Sequence, residues 1–144
     1  MHVAQIIAEK GASVLTAGAN DRITRLLKLL ASRNVGAIVI CDAAGAVIGI
    51  VSERDIVRAF ADNGAAVLDM TAADLMTREV VTCSKEDTVI ELMSVMTERR
   101  IRHLPVIDDG VLAGVISIGD VVKYRLADAE SELTGLRDYV MAQG

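Results

Sequence analysis

The chain has 144 residues, of which 52% are hydrophobic and only 2% aromatic, and its formal net charge is −5. An acidic chain with so few rings lacks the basic face and the stacking side chains that nucleic-acid binding requires, so we expect no nucleic-acid partner. The hydrophobic excess predicts an aliphatic core and further apolar surface that a second copy of the chain would cover. We therefore expect a homodimer.

The sequence also gives little support for a membrane segment, a disulfide framework, a metal site or a catalytic site. The apolar segment 3–8 is short and runs directly into Glu9 and Lys10, which fits neither a signal peptide nor a membrane span. Cys41 and Cys83 form no Cys-x-x-Cys pair, so we predict neither a zinc site nor a disulfide framework. With two histidines in the chain, a catalytic dyad or metal site has little material. We predict a cytoplasmic protein that is not an enzyme and binds no metal.

In the first half of the chain, a β-branched run at 14–16 predicts a strand, and helical spacing over 21–32 predicts a helix. The runs 38–41 and 47–51 flank an Asp-Ala-Ala-Gly turn and predict a β-hairpin. A second helix is then indicated by the apolar residues Ile56, Val57 and Phe60. This half is thus predicted to be strand, helix, strand, strand, helix.

The second half repeats this order, with a strand at 80–82, a helix over 87–99, a hairpin of 104–107 with 111–116, and a helix from Val121. Five residues meet the same type 66 positions later, and five more match at an offset of 65 after one residue drops out of the hairpin turn. The matching positions are Val14, Thr16, Asp21, Arg33 and Asp42 at the first offset, and Gly45, Gly49, Ser52, Asp55 and Val57 at the second. The fold class is therefore α/β, with two pseudo-symmetric β-α-β-β-α repeats.

Three segments lie outside these repeats. Residues 62–66 predict a loop, and Thr71-Ala-Ala-Asp74 is a capping box that predicts a short helix leading into the second repeat. Residues 6–10 form its counterpart ahead of the first repeat. The stretch 127–141 predicts an appended amphipathic helix that packs on a neighbour. The predicted division of the chain is 1–61 for repeat 1, 62–126 for repeat 2 and 127–144 for the terminal helix.

The repeats share one phrase, GIVSERDIV at 49–57 and GVISIGDVV at 114–122, and the second adds Arg-His-Leu-Pro-Val at 102–106. With this order of elements, the phrases resemble the tandem cystathionine-β-synthase (CBS) domain pair, or Bateman module, in its stand-alone bacterial form. The resemblance implies a regulatory sensor that binds adenine nucleotides, AMP, ATP or NAD(H), in clefts between the two copies. It also implies a regulated protein partner that responds to the bound nucleotide.

The residues themselves are suited to such a ligand. Ser52 with Asp55, and Ser117 with Asp120, lie where a strand becomes a helix, so backbone N–H groups can hold an anion and a carboxylate can accept hydrogen bonds from a ribose diol. Arginine supplies charge for phosphates, and strand starts supply apolar walls for adenine. The predicted ligand-binding residues are Thr16, Val35, Ala37, Ser52, Arg54, Asp55, Thr82, Arg100, Ile101, Arg102, His103, Pro105, Ser117, Gly119 and Asp120.

Two alternatives remain open at the level of sequence. Ser-x-x-Asp before an apolar helix is itself a capping box, in which the two side chains bond only to their own backbone. The module as a whole can also be a ligand-independent scaffold for dimerisation or docking. The copies differ as well, because Gly119 stands where the first has Arg54, and Val35-Gly-Ala stands where the second has Ile101-Arg-His. We expect two sites of different affinity.

Overall fold

The computed structural model describes residues 1–11 and 14–143. These residues group into two compact units, and each unit holds one copy of the repeat. The first-repeat unit comprises residues 14–81 and 109–112, and the second-repeat unit comprises 1–11, 82–108 and 113–143. The units therefore follow the two repeats, and the boundaries at residues 61 and 126 stay a prediction.

Apart from a missing strand at 80–82, the helices and strands follow the predicted order, which confirms the α/β class, the two repeats and the terminal helix. In chain order the elements are α1 (Val3–Lys10), β1 (Thr16–Ala17), α2 (Ile23–Arg33), β2 (Ala37–Cys41), β3 (Val47–Ser52), α3 (Glu53–Asn63), a 3₁₀ helix (Gly64–Asp69), α4 (Ala72–Leu75), α5 (Val89–Arg99), β4 (His103–Asp108), β5 (Val111–Ser117) and α6 (Ile118–Gln143).

The first-repeat unit is built on a three-stranded sheet in the order β1-β2-β3. β1 runs parallel to β2, with Thr16 opposite Val39, and β3 runs antiparallel to β2, with Ala37 opposite Ser52. Because the start of β2 lies beside the end of β3, the sheet brings Ala37 next to the first turn of α3. The core behind this sheet is aliphatic, as the composition predicts, and its fully buried members include Ile23, Leu26, Ile38, Ile40, Val51 and Val67.

The second repeat lacks the first strand that the sequence predicts at 80–82. β4 pairs with β5 alone, and the preceding segment contributes a single parallel bridge from Cys83 to Val106. In the first repeat, Thr16 pairs with Val39, and the counterpart of Val39 is Pro105. Proline has no N–H to donate to a neighbouring strand. The ladder therefore loses its first rung, and residues 80–82 form no strand.

Each repeat is completed by the short helix that precedes the other repeat in sequence. In the first-repeat unit, the Ala72 N–H donates to Asp21 O at 2.8 Å, and Met76 packs on Gly49 of β3. In the second-repeat unit, the Val3 N–H donates to Asp87 O at 2.8 Å, and Ile7 packs on Gly114 of β5. The predicted equivalence of the two leading helices is confirmed, and each helix docks over a glycine, where an added Cβ would collide with the docked side chain in its present position.

One expectation about a connecting segment is wrong. Residues 62–66 are not a loop, because α3 continues to Asn63 and a 3₁₀ helix follows directly, held by the fully buried Val67. The predicted terminal helix is present and is continuous with the last helix of the second repeat, since α6 runs without interruption from Ile118 to Gln143. Within residues 1–11 and 14–143, no helix is both long and apolar enough to cross a membrane.

Candidate functional site

Ser52 and Asp55 form a closed pair at the start of α3. The Ser52 N–H and the Ser52 hydroxyl both donate to Asp55 Oδ2, at 2.8 and 3.0 Å, and the Asp55 N–H donates back to Ser52 Oγ at 3.2 Å. This arrangement is a capping box, so the capping interpretation of the motif is confirmed. The pair is half-buried and therefore remains accessible from one side.

Ser117 and Asp120 repeat the arrangement at the start of α6. The Ser117 N–H and hydroxyl donate to Asp120 Oδ2 at 2.9 and 3.0 Å, and the Asp120 N–H donates to Ser117 Oγ at 3.2 Å. The two copies agree within 0.1 Å for each bond. The local sequence therefore specifies the same geometry twice.

One oxygen of each carboxylate carries all of these contacts. Within the described residues, Oδ1 of Asp55 and Oδ1 of Asp120 accept no hydrogen bond. A carboxylate has two oxygens with about four acceptor positions in total. Capping the helix and binding a hydroxyl group of a ligand are therefore compatible, and the two interpretations of the motif do not exclude each other.

One backbone donor is also left at each helix start. The Glu53 N–H donates to Gly36 O at 3.0 Å, and the Ile118 N–H donates to Arg102 O at 2.8 Å. The N–H groups of Arg54 and Gly119 have no acceptor within the described residues. Since the first N–H groups of a helix lack intrahelical partners, each repeat presents one free donor at the positive end of its helix dipole.

The two carboxylates differ in their electrostatic surroundings. Lys10 Nζ lies 2.6 Å from Asp120 Oδ2 and also donates to Val115 O at 2.8 Å. Burial raises the pKa of Asp120, but Lys10 and the Ser117 hydrogen bonds outweigh it, so the pKa is lowered overall. Among the described residues, no lysine or arginine lies within ion-pair distance of Asp55. Lys10 and Asp120 are 110 positions apart, so the local sequence gives no signal of this contact.

In the first-repeat unit, the predicted site residues share one end of the sheet. Thr16 begins β1, Ala37 begins β2, and Ser52 ends β3 opposite Ala37. Val35 precedes β2 and is 37% exposed. Arg54 follows in the first turn of α3, half-buried, and its guanidinium makes no hydrogen bond or ion pair within the described ranges.

In the second-repeat unit, the equivalent residues lie at equivalent backbone positions. His103 begins β4, and Ser117 ends β5. Arg102 precedes β4, and its carbonyl joins the first turn of α6, which brings it next to Gly119 and Asp120. Thr82, Ile101 and His103 complete the set, with Thr82 exposed and the other two half-buried.

Two predicted residues are placed differently from the others. Arg100 ends α5 in the left-handed conformation, with φ 55° and its N–H bonded to Met96 O, like Asn34 at the end of α2. Its exposed side chain thus belongs to a helix terminus. Pro105 is buried within β4, and its carbonyl accepts the Cys83 N–H at 2.9 Å. Pro105 can therefore shape the strand but offers little surface to a ligand.

A cavity of about 510 Å³ opens beside Asp55, along α3 and α4. Its lining contains three carboxylates and one guanidinium, contributed by Asp55, Asp62, Asp74 and Arg58. An acidic lining disfavours phosphate, so this cavity is not the phosphate-binding part of the candidate site.

Side chains suited to metal binding or redox chemistry are not grouped in the described part of the chain. No three His, Cys, Asp or Glu side chains there are arranged to hold a metal ion. Both cysteines are free thiols, and burial, followed by the charge of Asp87, raises the pKa of Cys83 to about 12.

Comparison with known proteins assigns the family. The family model for the CBS domain matches twice, over residues 3–62 and 72–127. The chain belongs to the CBS domain family. As a tandem CBS pair, it is similar to a CBS-domain containing protein from Agrobacterium tumefaciens, with 44% identity, a TM-score of 0.85, and coverage of 87% of this chain and 99% of the other.

Two further structures of CBS pairs carry adenosine-containing ligands. A CBS domain protein from Pyrobaculum aerophilum, complexed with AMP, is 27% identical with a TM-score of 0.74, covering 83% of this chain and 89% of the other. The CBS domain pair of protein MJ0100, in complex with 5′-methylthioadenosine and S-adenosyl-L-methionine, is 26% identical with a TM-score of 0.79, covering 89% and 98%. The chain spans between 33% and 63% of the length of three curated relatives that it matches.

Proposed function

We propose that this CBS pair is a regulatory sensor that binds adenine nucleotides at its two Ser–Asp helix starts and transmits their presence to a protein partner. The observation that carries the proposal is the Oδ1 atom of Asp55 and of Asp120, which accepts no hydrogen bond from any residue that the structure describes. In each repeat the same first helical turn also carries a backbone N–H, that of Arg54 or Gly119, with no acceptor among the described residues. An acceptor for a sugar and a donor for an anion thus occur in the same helical turn twice.

The chemistry of a nucleotide fits this pair of groups. A ribose diol donates hydrogen bonds, which a carboxylate accepts, and a phosphate accepts hydrogen bonds from helix-terminal N–H groups. Arg54 in the first-repeat unit and Arg102 in the second have guanidinium groups without partners in the described ranges. These groups supply the charge that a phosphate needs. The complexes of related CBS pairs with AMP and with adenosine-containing sulfur compounds support the same ligand class.

The finer points of the proposal rest on residue differences. Arg54 has no counterpart at Gly119, and Lys10 forms an ion pair with Asp120, whereas no lysine or arginine of the described residues does so with Asp55. The two sites should then differ in affinity, and one of them can take a longer ligand such as NAD(H) while the other takes AMP or ATP. The module senses ligand without catalysing a reaction, and its expected location is the cytoplasm.

A thermal melt with a nucleotide panel tests ligand binding directly. The panel contains AMP, ATP, NAD(H), 5′-methylthioadenosine and S-adenosyl-L-methionine, with GMP as the control for the base. A ligand present at a hundred times its dissociation constant stabilises the folded state by about 2.7 kcal/mol. No stabilisation by any adenosine compound at millimolar concentration would contradict the proposal and favour the scaffold alternative, in which the repeats serve only for dimerisation or docking.

Asp55→Asn and Asp120→Asn test the two residues separately. An amide oxygen can still accept the serine N–H, so the cap is largely kept, while the charge that receives the diol is lost. Each variant should abolish saturable binding at one site in calorimetry and leave the other site intact. Glu91→Gln is the matched control, because Glu91 closes the same kind of capping box with Thr88, at 2.9 and 3.2 Å, at the start of α5. Equal loss of binding in the control would assign the effect to stability.

A further inference from the structure

The last helix, α6, carries an apolar stripe that its own unit does not cover. Val121 and Tyr124 anchor its first turns and are buried in the second-repeat unit. Beyond them the large apolar side chains stay open, with Leu133 50%, Leu136 60% and Val140 61% exposed. Since apolar surface of this extent is expensive to leave in water, the stripe needs an occupant.

The spacing of the stripe identifies the type of partner. Starting at Val122, the stripe advances by alternating steps of four and three residues. Its members are Val122, Leu126, Ala129, Leu133, Leu136, Val140 and Gln143. This is a heptad repeat with positions a at Leu126, Leu133 and Val140, and it lasts for three heptads, about 33 Å of helix at 1.5 Å per residue. A strict heptad matches a second helix of the same kind better than a flat protein surface.

The charges beside the stripe select the orientation. The g positions hold Arg125 and Glu132, and the e positions five residues further on hold Glu130 and Arg137. In a parallel, in-register pair of helices, each g side chain lies beside the following e side chain of the partner. Arg125 then faces Glu130, and Glu132 faces Arg137, so all four ion pairs of the dimer are attractive.

Other pairings of the same helix bring like charges together. A parallel pair shifted by one heptad places Arg125 beside Arg137 in one direction, and Glu132 beside Glu130 in the other. An antiparallel pair that uses the full stripe places Glu130 near Glu130 and Glu132 near Glu132. Within a single chain, Arg125 reaches Glu132 only at 3.9 Å, and Glu132 is 75% exposed, so this weak contact leaves both groups available.

We propose that the occupant of the stripe is a second copy of this chain, bound through α6 as a parallel, in-register, two-stranded coiled coil over residues 122–143. The seam is defined as the seven stripe residues given above. This arrangement sets the orientation of the two chains in the dimer, with equivalent ends of α6 side by side. It does not depend on nucleotide binding.

Sedimentation equilibrium of the full chain tests the seam. The wild-type chain should associate to twice its mass of 15.3 kDa at micromolar concentration. Leu133→Asp with Leu136→Asp should return the mass to that of one chain. Thr134→Asp with Ser131→Asp adds the same charge to the outer face of α6 and should remain dimeric. A wild-type monomer, a larger oligomer, or a seam variant that stays dimeric would overturn the proposal, provided that circular dichroism shows an intact fold.

A charge exchange tests the orientation. Glu132→Lys places one lysine beside Arg137 of the opposite chain on each side of the dimer and should raise the dissociation constant of the dimer roughly tenfold. Adding Arg137→Glu to the same chain restores opposite charges and should recover most of the affinity. Leu136→Cys should form a disulfide between the two copies under mild oxidation, which only the in-register parallel pair brings within reach. Failure of both the rescue and the cross-link would refute the parallel arrangement.

Discussion

The two repeats have the same Ser–Asp helix start, but a different kind of hydrogen-bond donor binds the equivalent carbonyl of the last strand in each repeat. In the first repeat, Ile50 O accepts the backbone N–H of Thr77 at 2.9 Å. In the second, the equivalent carbonyl of Val115 accepts Lys10 Nζ at 2.8 Å, and the same amine reaches Asp120. A backbone donor satisfies one carbonyl and nothing more, whereas a lysine also neutralises the neighbouring carboxylate. The two copies therefore share the same backbone arrangement, but Asp120 in the second copy also lies beside a cation.

This difference carries over to the proposed ligand contacts. A sugar hydroxyl approaching Asp55 meets a carboxylate whose partners are the Ser52 groups alone, within the described residues. A sugar approaching Asp120 meets a carboxylate that already shares charge with Lys10. Because an acceptor already neutralised by a cation binds a further donor less strongly, the first repeat should contribute the stronger sugar contact.

The largest expected effect concerns the two glycines on which the leading helices dock. A Cβ at Gly49 would lie 2.8 Å from Cγ and 3.0 Å from Cβ of Met76, and this Cβ cannot move without shifting the backbone. A Cβ at Gly114 would crowd only the terminal methyl of Ile7, which can rotate away. Gly49→Ala should therefore lower the free energy of unfolding by about 1–3 kcal/mol, and Gly114→Ala should lower it by less, as measured by urea denaturation.

Gly135→Ala in α6 serves as the control for these two variants. A Cβ at Gly135 meets nothing within 4 Å, so alanine should leave the free energy of unfolding unchanged or raise it by up to about 1 kcal/mol through helix propensity. Equal losses for Gly49→Ala and Gly114→Ala would show that the two docking contacts are equally rigid and would remove this part of the comparison.

The features that could be predicted from sequence are those set within a few residues. The capping boxes at Ser52, Thr71 and Ser117 each span four positions, and both hairpins follow from an apolar run on either side of a short turn. The repeat also tested each predicted element, because an element in the first copy should have an equivalent in the second copy at a fixed offset. This redundancy made the α/β architecture and the positions of the Ser–Asp pairs predictable.

The features that could not be predicted depend on contacts between distant residues. Lys10 and Asp120 are 110 positions apart, and nothing in their local sequence links them. The missing strand at 80–82 depends on Pro105, which acts through a neighbouring strand and not on its own segment. The sequence did not show that α6 is one continuous helix, because two of its faces are apolar. The face with Val121 and Tyr124 is buried in the second-repeat unit, whereas the seam that begins at Val122 is exposed.

A smaller effect is expected from removing the cation beside Asp120. The side chains of Lys10 and Asp120 are 42% and 20% exposed, so solvent weakens their attraction, and Lys10→Met should lower the free energy of unfolding by about 0.2–1 kcal/mol at neutral pH. Because the pKa of Asp120 is lowered in the folded state, its stabilisation is full above the unfolded pKa near 3.9. It is lost as the pH falls through the lower folded pKa.

The dependence on pH distinguishes this pair from a general charge effect. Denaturation curves between neutral pH and the acid limit should show a smaller acid-induced loss for Lys10→Met than for the wild-type chain, since less stabilisation of the carboxylate remains to be lost. Lys28→Met removes an exposed lysine that makes no ion pair among the described residues, and it should retain the wild-type pH dependence. The same pH profile for Lys10→Met and the wild-type chain would mean that Lys10 does not stabilise the Asp120 carboxylate.

The smallest expected effect is a difference in reactivity between Cys41 and Cys83, one thiol from each repeat. It does not involve a change in the stability of the fold. At pH 8, a thiol with a pKa of about 12, as for Cys83, is ionised in about one molecule in ten thousand, and only the thiolate reacts. Burial also raises the pKa of Cys41, with a contribution from Asp42, but Cys41 is only half-buried. Ellman's reagent should therefore modify one thiol per native chain and both thiols in denaturant. Cys41→Ser should abolish the reaction of the native chain. Rapid modification of Cys83 in that variant would contradict this expectation. It would show that the second repeat opens locally at the bridge between Cys83 and Val106 and that its sheet is less stable than the sheet of the first repeat.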